Sequence, residues 1–105
     1  MTRSRLETLQ EMLAGNPDDA FVRYGIAQEF VKAGDLARAL AAFEELRARD
    51  PGYVATYYHL GQAYQKLGRV ADARRTYQEG IEVAERKGDR HSRSELCDVL
   101  DLLEG

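Results

Sequence analysis

The chain has 105 residues, 44% of them hydrophobic and 31% charged, with 15 Lys and Arg against 18 Asp and Glu. That length fits one small domain with a single core and leaves no room for a second lobe. Cys97 is the only cysteine, the first residues carry no apolar stretch, and the charge of −3 divides into −2 over residues 1–50 (seven basic, nine acidic) and −1 over 51–105 (eight basic, nine acidic). A disulfide framework, a secretion signal, a membrane span and nucleic-acid binding therefore lack support, and a reducing, cytoplasmic setting is expected.

The first predicted helix covers residues 3–15. Ser4-x-x-Glu7 has the spacing of a capping box, in which each side chain satisfies a free amide of the first turn. Leu9 lies 34 residues before Phe43 and Pro17 lies 34 before Pro51, so this segment stands in the register of the second helix of a repeating unit: half a repeat.

The period itself appears when residues 17–50 are set over 51–84. Pro17/Pro51, Tyr24/Tyr58, Gln28/Gln62, Lys32/Lys66, Gly34/Gly68, Ala37/Ala71, Ala39/Ala73 and Glu45/Glu79 are identities, and pairs such as Phe30/Tyr64 and Phe43/Tyr77 keep their character. Within each unit Ile26, Ala27, Phe30 and Leu60, Gly61, Tyr64 fall on one helical stripe. A break follows at Gly34-Asp35 and Gly68-Arg69, where glycine can take the left-handed conformation that ends a helix and Asp35 can cap the next. Each unit reads as a helix hairpin. Asn16-Pro17 and Asp50-Pro51 read as caps before helices that open on the proline.

A last helix is expected over 92–104, opened by Ser92-x-x-Glu95 as a second capping box. Leu96, Val99, Leu100 and Leu103 form its dry stripe, and Asp98, Asp101 and Glu104 its wet face, as a solubilising cap requires.

These residues resemble the tetratricopeptide repeat family, whose pattern is an aromatic, Leu-Gly, Tyr, Ala-x3-Phe and a closing Pro at a period of 34. The second unit matches with Tyr57, Leu60-Gly61, Tyr64, Ala73 and Tyr77, and the first with Ile26-Ala27, Phe30, Ala39, Phe43 and Pro51. Arg23 stands where the family prefers an aromatic, Gly80 where the first unit has Leu46, and Glu85 where a third proline would fall. The resemblance implies an all-α chain of about six antiparallel helices in a right-handed superhelix, an α-solenoid. It further implies a concave groove, lined by the first helix of each unit, that holds peptides.

No residue pattern points to catalysis. His59 and His91 have no Ser or Cys nucleophile beside them by motif, Glu44-Glu45 and Asp18-Asp19 are adjacent rather than paired on one helix face, and Cys97 lies beside an apolar stripe. Neither a phosphate-binding loop nor a metal-ligand spacing occurs, so no enzyme activity, cofactor or metal is expected.

What remains is the face opposite the inward stripe. It carries Phe21, Tyr24, Gln28, Val31 and Lys32 in the first unit, and Tyr58, His59, Gln62, Gln65 and Lys66 in the second. Tyrosines offer rigid contact area, glutamines can bond an extended backbone, and lysines favour a carboxylate, so these residues are the candidate groove for a protein or peptide partner. The alternative at each position is an ordinary solvated helix face. Two functions follow from different features: an adaptor that holds a partner segment in this groove, and a homo-oligomeric scaffold that stacks through the solenoid ends.

Overall fold

The computed structural model describes residues 3–105, and all regular structure in them is helical: α1 (Arg5–Gly15), α2 (Ala20–Lys32), α3 (Leu36–Arg49), α4 (Ala55–Lys66), α5 (Val70–Lys87) and α6 (Arg90–Glu104). Each helix packs on the next in chain order and α6 also reaches α4, which gives an elongated array of 48 × 29 × 20 Å. None of the described helices is long and apolar enough to cross a membrane.

Local chemistry sets most of the helix ends. The Glu7 amide donates to Ser4 Oγ at 3.1 Å and the Ser4 amide to Glu7 Oε1 at 3.4 Å, so both halves of the first capping box form. Gly34 takes φ +77°, its amide donates to the Val31 carbonyl and the next amide, of Asp35, donates to Phe30. This pair of bonds closes α2, and the Asp35 carboxylate then accepts from the Arg38 amide at 3.1 Å to open α3. Gly68, at φ +76°, repeats the closure on Gln65 and Tyr64.

The prolines, however, do not open helices. Asn16–Asp19 and Asp50–Tyr53 are turns, closed by the Asp19 amide on the Asn16 carbonyl and the Tyr53 amide on the Asp50 carbonyl, each at 3.1 Å. Proline sits second in both, where its fixed φ fits. Asp19, rather than Asn16, caps α2 by accepting from the Val22 amide, and α4 begins without a side-chain cap. Likewise α6 starts at Arg90, before Ser92. Asp89 accepts from both the amide (3.0 Å) and the hydroxyl (2.7 Å) of Ser92, which leaves Ser92 and Glu95 outside any capping box.

These turns account for a departure from the family pattern. Tyr57 Oη donates to the Pro51 carbonyl at 2.5 Å, and one period earlier Arg23 Nε donates to the Pro17 carbonyl at 2.7 Å. The arginine makes the bond the aromatic hydroxyl makes in the second unit. Gly80 has an equally local reason: a Cβ there would lie 2.5 Å from Tyr57 Cβ and 3.0 Å from Leu96 Cδ1.

The main core runs from α2 to α6 through Ala27, Ala39, Phe43, Tyr57, Leu60, Tyr64, Ala73, Tyr77, Val83 and Leu96. A smaller cluster of Leu9, Val22 and Ile26 fastens α1 to α2, with Phe30 touching both. With the stripe of each first helix turned into these clusters, its opposite side faces outward.

Candidate functional site

On that outward side Phe21, Tyr24, Gln28, Val31 and Lys32 of α2 and Tyr58, His59, Gln62 and Lys66 of α4 line a run of hollows that Gln65 does not reach, and Ser92, Glu95 and Leu96 of α6 extend it beyond α4. Tyr24, Gln28 and His59 meet there. Tyr24 Oη lies 2.8 Å from His59 Nε2, while Gln28 Nε2 donates to Tyr24 Oη at 2.9 Å and lies 3.4 Å from His59 Nδ1. The Tyr24 ring stands edge-on to the imidazole at 5.2 Å, and Phe43 of α3 stacks against it at 6.1 Å and 12°. His59 therefore bonds the first repeat to the second. Burial lowers its pKa, with Lys66 acting in the same direction and Glu95 against it. As the neutral tautomer protonated at Nε2, the ring can donate to Tyr24 Oη and accept from Gln28 Nε2 at Nδ1.

Gln62 and Gln65 face a different partner. Gln62 Nε2 donates to Tyr77 Oη at 2.7 Å, and Tyr77 Oη donates to Gln65 Oε1 at 2.5 Å. The Tyr77 pKa is pushed up to about 12 by burial, so the phenol holds its proton at any physiological pH. The two glutamines of α4 thus anchor a core tyrosine of α5.

Lys32 and Lys66, identical and one period apart, sit in unlike surroundings. Lys32 Nζ is 3.1 Å from Glu29, which Arg5 also approaches at 3.4 Å, whereas no carboxylate lies within 4 Å of Lys66 Nζ among the described residues. Phe21 is 69% exposed. Tyr58 is half-buried with its ring edge-on to His59 at 5.2 Å, and its hydroxyl has no bond among the described residues.

Three hollows run across the face. The first, about 300 Å³, lies between α1 and α2 and is walled by Leu9, Phe21, Tyr24, Val31 and Lys32 among others. The second, about 190 Å³, lies between α2 and α4 beside Gln28, Val31, Leu36, His59, Gln62 and Lys66. The third, about 120 Å³, lies between α4 and α6 beside Tyr58, His59, Ser92, Glu95 and Leu96. Ser92 and Glu95 join the face although the 34-residue period does not mark them, and so does Leu36, which the period pairs with Val70 without assigning it to the groove. Leu96 is buried as Leu60 is, 36 residues earlier, so the last helix has slipped out of register.

Among the described residues no group of three or more His, Cys, Asp or Glu could hold a metal ion, and Cys97 is half-buried on α6.

Antiparallel hairpins stacked at a period of 34 around a hollowed face define a helical-repeat solenoid. The family model of the tetratricopeptide repeat matches residues 30–89. The chain is 33% identical over 99 residues to the TPR repeat-containing protein PA0015 of Pseudomonas aeruginosa, covering 94% of each. Among solved structures it is similar to a tetratricopeptide repeat domain protein of Salinibacter ruber (51% identity, 86% of this chain, 91% of that one, TM-score 0.82). It is also similar to protein BPP2914 of Bordetella parapertussis (26% identity, 98% and 90%, TM-score 0.84). The chain belongs to the tetratricopeptide repeat family. Repeats of this family generally mediate protein–protein interaction and generally do so without catalysis.

Proposed function

We propose that this chain is a cytoplasmic adaptor that holds an extended segment of another protein across the face formed by α2, α4 and α6, without catalysis, cofactor, nucleic acid or membrane. The candidate contacts are Phe21, Tyr24, Gln28, Val31, Lys32, Tyr58, His59, Gln62, Gln65 and Lys66. The observation that carries the reading is Phe21, 69% exposed at the mouth of the first hollow. A single exposed apolar side chain is ordinary on a protein surface; what supports a docking face is that Phe21 walls a hollow of about 300 Å³, so that an occupant there would bury the ring. In the same reading α1 is the second half of a repeat, residues 17–50 and 51–84 are the two full units, and α6 is the cap.

The test is affinity capture from the native host's lysate with the wild-type chain and with Phe21→Glu/Tyr58→Glu. Tyr24 is left alone because its hydroxyl bonds His59 and its loss would disturb the repeat junction. Loss of a captured protein from the variant, at unchanged helicity, supports the groove; equal capture by both sinks it.

A second reading, self-assembly through the ends, is favoured by Met12 on α1 (53% exposed) and Leu102 on α6 (82% exposed), which stand at opposite ends of the array. A molar mass that stays monomeric on concentration counts against it.

A further inference from the structure

We infer that the face formed by α2, α4 and α6 selects a segment of mixed charge, taking an acidic side chain in the hollow between α2 and α4 and a basic one in the hollow between α4 and α6. The inference rests on the groove reading and names the chemistry of its occupant.

Lys66 lines the first of these hollows and Glu95 the second, and His59 is the wall between them. Both charges act on that imidazole, with opposite sign, Lys66 from α4 and Glu95 from α6. The other charges near the face are largely satisfied: Lys32 by Glu29 at 3.1 Å, Arg5 by the same carboxylate, and Arg93 by Glu85 at 3.2 Å. Lys66 has no carboxylate within 4 Å among the described residues. Glu95 has only His91 Nε2, at 3.4 Å, an exposed imidazole that carries charge only when protonated. The charges that line these two hollows without a carboxylate or fixed cation within 4 Å among the described residues, Lys66 and Glu95, are thus opposite and separated by a neutral ring.

The two hollows lie on either side of α4, a helix is about 10–12 Å across with its side chains, and an extended chain advances about 3.3 Å per residue, so the matching acid and base fall roughly three residues apart in the occupant. A uniformly acidic segment would set a carboxylate against Glu95, and a uniformly basic one an ammonium against Lys66. Such repulsion discriminates as effectively as attraction.

The test uses the full chain and short synthetic peptides on a common Ser-Tyr-Ala background, carrying two charged residues three apart: acid with base in both orders, acid with acid, and base with base. Affinity is read by fluorescence polarisation for the wild type, Lys66→Glu and Glu95→Lys. Both positions are exposed, so circular dichroism should show unchanged helicity in the variants. The wild type is expected to prefer the mixed class, Lys66→Glu the dibasic class and Glu95→Lys the diacidic class. Each matched charge should contribute about fivefold, and the preference should shrink as salt rises. Equal binding of all classes by the wild type, with binding still lost in Phe21→Glu/Tyr58→Glu, overturns charge selection and leaves the groove standing. Binding that ignores both charge and Phe21→Glu/Tyr58→Glu, or no binding by any class, overturns both.

Discussion

Replacing Gly61 by alanine should destabilise the chain by about 2 kcal/mol, and the reason lies in one ring. A Cβ at position 61 would sit 2.1 Å from Tyr77 Cε1 and 2.6 Å from Cζ, where carbon atoms rest at about 3.5–4.0 Å. The ring would have to retreat by more than an ångström, yet Tyr77 is fully buried and its hydroxyl is bonded by both Gln62 and Gln65. Overpacking of a tight core costs about 1–3 kcal/mol, and with no slack the upper end applies; alanine's better helix propensity returns about 1 kcal/mol. The first unit shows what relieves the clash. There Ala27 and Phe43 occupy the equivalent positions, both fully buried, and the ring lacks a tethered hydroxyl. In a Tyr77→Phe background the same Gly61→Ala change should therefore cost about 1 kcal/mol less, a coupling of the size seen between residues in contact. Urea unfolding followed by far-ultraviolet circular dichroism on the four chains of this cycle measures it. A neutral Gly61→Ala, or strict additivity with Tyr77→Phe, would refute the argument.

Three further outcomes follow from the same structure. Thr56 Oγ1 is buried without a hydrogen-bond partner among the described residues, and the position one period earlier is the buried Val22, so Thr56→Val should stabilise by about 1 kcal/mol; a lower melting temperature would contradict this. His59 has a folded pKa below its ordinary 6.5, so its neutral form contributes full stability above about 6.5 and loses it as pH falls from there towards the folded value. His59→Gln should flatten the decline in urea midpoint between neutral and mildly acid pH, and an unchanged acid limb would remove His59 from the explanation. Gly68, at φ +76° and with open space among the described residues where a Cβ would stand, is needed for conformation alone. Gly68→Ala should cost about 1 kcal/mol and Gly68→Asn less, since asparagine tolerates the left-handed region; equal losses would show another cause.

The parts of the fold legible in the sequence are those set by neighbours along the chain. The Ser4–Glu7 box, the Asp35 cap and the left-handed glycines each act within about five residues, and the 34-residue identities extend them into a stack. The prolines were ambiguous because a turn and a first helical turn ask the same φ of proline, and only the bonds of Asp19 and Tyr53 separate the two. The candidate site was harder to read because its chemistry crosses helices. Tyr24 meets His59 over 35 positions, and Tyr77 draws Gln62 and Gln65 from across the α4–α5 hairpin. Periodicity assigns such residues a face and is silent on the partner each side chain finds. Glu95 was obscured for a further reason: α6 has slipped to a spacing of 36, which hides its alignment with α4.

The division of the core into two clusters sets up an internal reference for any binding experiment. α1 is fastened by the small cluster of Leu9, Val22 and Ile26 with Leu6, Leu13 and Phe30 against it, whereas α2 to α6 share the larger cluster. Because α1 packs on α2 and α6 on both α5 and α4, amides in α1 should exchange with solvent first, since opening that end breaks the fewest buried contacts. A segment lying across α2, α4 and α6 would slow exchange in the shared cluster and leave the α1 amides near their original rates. One deuterium-exchange profile would thus carry both the footprint of the occupant and, at its own N-terminal end, the baseline against which the footprint is read.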